Sequence, residues 1–82
     1  MSSDTDLAGL LRLVLTSEQL TDEQREQVAQ LINEVAGELD TATPDGSKTR
    51  KQLERIKTTV SKAADIATPA LTIIAKVLEL LP

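Results

Sequence analysis

The side chains best suited to acid–base chemistry are carboxylates near the middle of the chain. Glu34 and Glu38 are four residues apart, and Asp40 follows Glu38 by two. General acid–base catalysis needs a carboxyl group in an apolar pocket, where its pKa is raised. These acids instead alternate with apolar residues at helical spacing, so they belong to the polar face of an amphipathic helix. The pattern predicts a solvated surface and no catalytic pair.

Other chemistries have even less support in the composition. The chain has no Cys and no His, which removes thiolates, disulfides and the commonest general base. The stretch DTATPDG lacks the ligand spacing of a calcium loop, and no Gly-rich phosphate loop is present. Asp65, which neighbours an Ala-rich stretch and Pro69, is the one acid expected to cap a helix or pair with a lysine. We expect a protein that is not an enzyme and holds no metal or cofactor.

Positive charge is concentrated in SKTRKQLERIKTTVSK, residues 47–62. Residues 1–46 carry 10 acidic and 2 basic side chains, a net −8, whereas residues 47–82 carry 3 acidic and 7 basic, a net +4. The basic patch consists of Lys48, Arg50, Lys51, Arg55, Lys57 and Lys62. It could follow a phosphate backbone, but the chain is acidic overall and has no aromatic residue for base stacking. Attraction between the acidic and basic halves, within one chain or between chains, is the stronger prediction.

The length of 82 residues allows one domain and a small core. Without aromatic residues or cysteines, that core must consist of Leu, Ile, Val and Ala. Chains of this size usually need a disulfide, a metal or a partner chain. Association with other protein chains is therefore expected. The acidic N-terminal segment does not resemble a signal peptide, and we expect a cytoplasmic location.

Apolar periodicity predicts an all-α fold, a small four-helix bundle. We expect the helices at about 6–15, 22–39, 48–67 and 69–81, with a loop over 41–47 between the acidic and basic halves. Thr21 and Gln24 have the spacing of a capping box, and Ser47 is a candidate N-cap. Pro69 requires either a break between the last two helices or a kink in one long helix.

The last helix, within TPALTIIAKVLELLP, has almost no polar side. Thr72, Lys76 and Glu79 form one narrow stripe, and the remaining positions are apolar. Such a helix must be surrounded by protein or lipid. Its 13 residues or so reach about 20 Å, less than the hydrocarbon thickness of about 30 Å. A core position is therefore expected, with interfacial membrane attachment as an alternative.

Two apolar surfaces are larger than short amphipathic partners can cover, which predicts a subunit interface. The candidate interface residues are Leu71, Ile74, Leu78 and Leu81 on the last helix, and Leu10, Leu13 and Leu15 on the first. The expected function is protein–protein association, as a homo-oligomer or with a partner protein. The alternatives are a membrane-active protein that uses the last helix and a weak nucleic-acid binder that uses the basic patch.

The stretch KQLERIKTTVSKAADIATPALTIIAKVLELL, residues 51–81, combines a charged helix, small residues with a proline, and an apolar terminal helix. This arrangement resembles the helical tails of small domains in bacterial conflict systems, of the abortive-infection AbiTii type. The resemblance implies a helical association module or a defence-linked regulator in a bacterial cell. It assigns no catalytic residue.

Overall fold

The computed structural model describes residues 3–81, with no side-chain detail at Ser3 and Asp4. It contains four helices: α1 (Ser3–Thr16), α2 (Asp22–Leu39), α3 (Gly46–Val60) and α4 (Ala67–Glu79). Each helix packs on its two neighbours in the order α1, α2, α3, α4 and back to α1. The predicted all-α four-helix bundle is confirmed.

Contacts between helices show that neighbours run antiparallel. On α2 and α3, Glu34 lies beside Gln52 and Glu38 lies beside Lys48. On α1 and α4, Gly9 lies beside Ile73, and Ser17 just after α1 is bonded to Asp65 just before α4. The α1–α2 and α3–α4 turns therefore meet at one end of the bundle, and the α2–α3 loop lies at the other end.

The core is a single aliphatic cluster between the four helices. All four contribute, and α4 supplies its share through Ala70, Ile74 and Val77. The buried apolar residues are Leu7, Leu10, Val14, Leu20, Val28, Ile32, Val35, Leu53, Ile56, Val60, Ala63, Ile66, Ala70, Ile74 and Val77. Burying one such Leu, Ile or Val contributes about 1.5 to 3 kcal/mol, which is the main stabilising term of the fold.

The start of α2 follows the sequence prediction. Thr21 Oγ1 accepts the Gln24 N–H at 3.1 Å, and Gln24 Oε1 accepts the Thr21 N–H at 2.9 Å, which completes the capping box. The start of α3 differs from the prediction. Asp45 rather than Ser47 is the N-cap, and its carboxylate accepts the Lys48 N–H at 3.1 Å. The helix consequently begins at Gly46, within the predicted loop.

The break between the last two helices is earlier than predicted. The sequence suggested helix up to residue 67 and a break or kink at Pro69, but α3 ends at Val60 and residues 61–66 form turns. Ala63 N–H bonds to Val60 at 3.0 Å, and Ile66 N–H bonds to Ala63 at 3.0 Å. Pro69 is the third residue of α4, where a missing N–H costs nothing because first-turn N–H groups have no intrahelical acceptor.

Glycine at position 9 of α1 provides a test of helix propensity. A Cβ added at Gly9 would lie 3.7 Å from Ile73 Cδ1, an ordinary van der Waals contact, and one added at Gly37 in α2 would meet no atom within 4 Å. Because glycine in a helix is about 0.8 to 1 kcal/mol less favourable than alanine, we expect Gly9→Ala and Gly37→Ala each to raise the free energy of unfolding by up to that amount. Urea denaturation measures it. A loss of stability in Gly9→Ala alone would show that α1 and α4 pack more closely than described.

Candidate association surface

The outward side of α1 carries apolar residues where a small bundle usually carries charge. Leu7, Leu10 and Val14 of this helix point into the core. The next positions around the helix remain open to water, and Leu15 is 57% exposed. We call this surface the outer strip of α1; its residues are Ala8, Leu11, Arg12, Leu15 and Thr16. Arg12 is its single charged residue.

A groove adjoins the outer strip where α1 meets α2. Leu11 on α1 and Ile32 and Ala36 on α2 form its walls, and Asn33 is its most polar contributor. The groove is open and has a volume of about 260 Å³. We call it the α1–α2 groove; its lining is Leu7, Ala8, Leu11, Ile32, Asn33 and Ala36. Ala8 and Leu11 belong to both surfaces, so together they form one continuous apolar area.

The outward sides of α2 and α3 are very different from this area. The exposed positions of α2 include Asp22, Glu23, Glu26 and Glu34. Those of α3, with the turn that follows it, include all six residues of the predicted basic patch: Lys48, Arg50, Lys51, Arg55, Lys57 and Lys62. Outward charge is what keeps a small helical protein from associating through its apolar atoms. Helix α1 lacks this protection along most of its length.

The predicted interface residues divide into three groups. Leu10 and Ile74 are at most 1% exposed, so as core residues they are unavailable to any partner of the folded chain. Half-buried positions that pack against the core are Leu13, Leu71, Leu78 and Leu81. Leu15 is the one candidate that is fully on the surface. Leu80, the C-cap residue of α4, is 58% exposed, so the bundle itself does not cover the whole apolar C-terminal segment.

The basic patch is mostly unneutralised within residues 3–81. Lys48 Nζ lies 3.8 Å from Glu38 Oε1, the one ion pair between the acidic and basic halves of this part of the chain. The other basic residues of the patch have no carboxylate oxygen within 4 Å there. Packing of α2 beside α3 therefore brings the two charged surfaces together without pairing most of their charges.

The carboxylates that suggested chemistry hold local structure. Glu34 Oε1 accepts the side-chain N–H of Gln52 at 2.8 Å, which links α2 to α3. Glu38 Oε2 accepts the backbone N–H of Asp45 at 2.8 Å, which closes the α2–α3 loop. Over the described part of the chain, no three acidic side chains are grouped as a metal site requires. Nor does any helix of residues 3–81 have both the length and the apolarity to cross a bilayer.

Asp65 joins the two turns at one end of the bundle. Its Oδ1 accepts the hydroxyl of Ser17 at 2.9 Å, and its Oδ2 accepts the backbone N–H of Glu18 at 2.9 Å. The Glu18 N–H, helped by the Ser17 hydroxyl, holds the pKa of Asp65 below its usual value of 3.8. Asp65 thus acts as a cap, but for a turn distant in sequence and not through a lysine. This bond fixes the C-terminal end of α1, where Leu15 lies, relative to α4.

Two parts of this surface were absent from the sequence prediction. The α1–α2 groove depends on which helices become neighbours. Ala8 lies on both surfaces, but nothing in the sequence pattern marked it as an interface residue. Leu11 has the helical spacing of a core residue relative to Leu7 and Leu10, but it is only partly buried because α2 covers only one side of it. Leu80 could have been found, since it falls beside Lys76 on the polar side of a helical projection.

The chain matches no family model, and neither the curated proteins nor the solved structures include a similar protein. The resemblance of residues 51–81 to abortive-infection domains therefore stays a prediction.

The hydrogen bonds of Asp65 predict a pH-dependent stability. Because the folded-state pKa is lowered, ionised Asp65 stabilises the fold above its unfolded pKa, and this contribution is lost as the pH falls through the folded pKa. We expect Asp65→Asn to lower the free energy of unfolding near neutral pH and to lower it less in strong acid. Urea denaturation at both pH values measures the difference.

The matched control for this experiment is Asp40→Asn. Asp40 is exposed, and its carboxylate accepts no hydrogen bond in the part of the chain that the structure describes. Its replacement should change stability little at either pH. An equal, pH-independent loss in both variants would contradict the role given to Asp65.

Proposed function

We propose that this chain is a non-enzymatic association module whose copies bind one another through the outer strip of α1 and the α1–α2 groove. One observation carries the proposal: a large apolar side chain, Leu15, is 57% exposed beside an apolar groove on a face with a single charge. The biological setting that fits is a small adaptor or regulator. On the resemblance of residues 51–81, a bacterial defence system is the setting we propose.

The driving force of this association is the removal of aliphatic surface from water. Full burial of a leucine contributes about 1.5 to 3 kcal/mol, so covering the exposed part of Leu15 contributes roughly 1 to 2 kcal/mol per copy. Leu11 and Ala36 add smaller areas along the groove. The chain has no Tyr, Trp or Phe, so any interface that it forms must depend on such aliphatic contacts.

A second copy of the chain is the partner that suits this surface. A symmetric dimer needs one patch that is complementary to itself. Leu15 forms a ridge, and the α1–α2 groove begins about one to two helical turns away on the same side of α1. The ridge of each copy can thus enter the groove of the other, which gives two equivalent contacts from one surface.

Helix α4 supports an alternative function, contact of its C-terminal end with a lipid surface. Leu80 is 58% exposed, and Leu81 beside it is half-buried. Co-flotation of the protein with anionic vesicles, lost in Leu80→Glu and retained in Leu15→Glu, would favour this alternative over self-association.

The self-association proposal predicts different behaviour for two matched variants. Leu15 and Leu80 are almost equally exposed, and each has a cation one turn earlier, Arg12 or Lys76. Both replacements by glutamate should therefore cost little in folding. We expect Leu15→Glu to weaken dimerisation at least about 10-fold, corresponding to roughly 1.4 kcal/mol, and Leu80→Glu to leave it unchanged.

Sedimentation equilibrium over a dilution series, in high salt, measures this difference. A parent chain that is monomeric at every concentration would overturn the proposal. Dimerisation that is lost in Leu80→Glu and retained in Leu15→Glu would move the interface to α4.

A further inference from the structure

Helices α2 and α3 present opposite charges side by side on one flank of the bundle. We call the exposed acids Asp22, Glu23, Glu26 and Glu34 the acidic face of α2. We call the predicted basic patch, with its six exposed cations, the basic face of α3. The basic face of α3 lies away from the outer strip of α1, because α3 contacts α2 and α4 but lies diagonally opposite α1.

The two faces leave most of their charge unpaired within the chain. The one ion pair between α2 and α3 in residues 3–81 joins Lys48 of the basic face to Glu38, a half-buried acid outside the acidic face, at 3.8 Å. Arg25, the one cation of α2, is occupied by Asp22 and by the carbonyl oxygens of Ser17 and Leu20. The fields of the two faces therefore extend into solvent, where a molecule with the reverse arrangement of charge would be attracted.

We propose that this flank binds the same flank of a second copy, with the acidic face of each α2 against the basic face of the other α3. A two-fold axis parallel to the helices produces this arrangement. It turns the flank of the partner toward the first copy and places the partner's α3 opposite α2. Every residue keeps its position along the helix axes, which we call its height. Each α2 then lies antiparallel to the partner's α3, and both contacts are equivalent.

The register of this contact follows from the register within the chain. Glu34 lies at the height of Gln52, and Glu38 at the height of Lys48, as their side-chain contacts show. An axis parallel to the helices preserves height, so Glu34 of one copy faces the neighbours of Gln52 in the other, Lys51 and Arg55. Continuing the antiparallel register toward the other end of the bundle brings Glu23 to the height of Lys62.

A second copy suits this flank better than a nucleic acid does. The acidic face of α2 lies directly beside the basic face of α3 and would repel a phosphate backbone that extends across both. The chain also has a net charge of −4 and no aromatic residue for stacking on bases. A second copy turned around the two-fold axis instead places acids opposite cations on both pairs of helices.

This contact differs from the proposed function in the pair of helices that it uses and in its chemistry. Exposed ion pairs are individually weak and are screened by salt, whereas apolar contacts are not screened. The flank contact should therefore be weak, present at low salt and absent at high salt. Together with the α1 surface it gives the chain two self-contacts of different chemistry.

Charge reversal in a Leu15→Glu background isolates the flank contact. One variant carries Glu23→Lys and Glu34→Lys, and another carries Lys51→Glu, Arg55→Glu and Lys62→Glu. In a dimer of either variant alone, like charges then lie opposite one another at these positions. At low salt we expect the background chain to form dimers and each reversed variant to associate about 10- to 100-fold more weakly. An equimolar mixture of the two reversed variants should dimerise as the background chain does. The reversed acids of one variant then face the reversed cations of the other, and the second contact of the dimer keeps its original charges.

Sedimentation equilibrium at low and high salt reads out all four samples, and circular dichroism confirms that each is folded. A folded background chain that is monomeric at low salt would overturn the proposal without reference to any variant. A mixture no larger than its separate components would overturn it as well. If the background chain is monomeric but binds duplex DNA, and binding is strengthened by the α2 reversal and abolished by the α3 reversal, the basic face serves nucleic acid instead.

The same samples separate the two proposals. Failure of the proposed function appears as high-salt association that survives Leu15→Glu. Failure of the flank contact appears as the absence of any low-salt association in that background.

Discussion

No helix of this chain can persist alone, and the structure depends on the aliphatic core that the four helices share. The helices have 13 to 18 residues, a length at which isolated helices are marginal in water. The chain offers no disulfide and no aromatic side chain to supplement the core. Each helix is therefore held by apolar contact with two neighbours, and a substitution in the core affects all four helices.

The packing of the core also explains why α1 has more apolar residues than the bundle buries. Helix α4 places Ala70, Ile74 and Val77 in the core and rests its remaining large side chains, apart from Leu80, against neighbours. Helix α1 has leucine or valine at five of the six positions from Leu10 to Leu15. Two neighbours and the core cannot cover that many directions, so Leu15 remains outside. The exposed apolar area thus follows from the packing of the bundle.

Hydrogen bonds at the ends of the bundle fix the positions of the turns and of the loop, which core packing alone does not determine. Asp65 holds the α3–α4 turn against Ser17 and Glu18, and Glu38 holds the α2–α3 loop at Asp45. Because the Asp65 bonds lie at the end of α1 that carries Leu15, they fix the orientation of the outer strip as well as the fold. Structure and candidate interaction surface are linked at that point.

The sequence predicted the parts of this structure that depend on local signals. The capping box at Thr21 and the apolar stripes of the helices are encoded within a few residues, and they appear as expected. The end of α3 at Val60 was not predictable from propensity, because Ser61 to Ala67 contains no residue that breaks a helix. There the turns are supported by Asp65, whose partners lie 47 and 48 residues away. The α1–α2 groove was missed for the same reason, since it exists only between packed neighbours.

Methyl NMR spectra of the parent chain over a dilution series in high salt test the central claim most directly. Leu15 and Leu80 are exposed to nearly the same extent at opposite ends of the bundle, so each serves as the reference for the other. We predict that the methyl shifts of Leu15, Leu11 and Ile32 change with concentration while those of Leu80 do not. Shifts that stay constant on α1, or that change at Leu80 alone, would contradict the account.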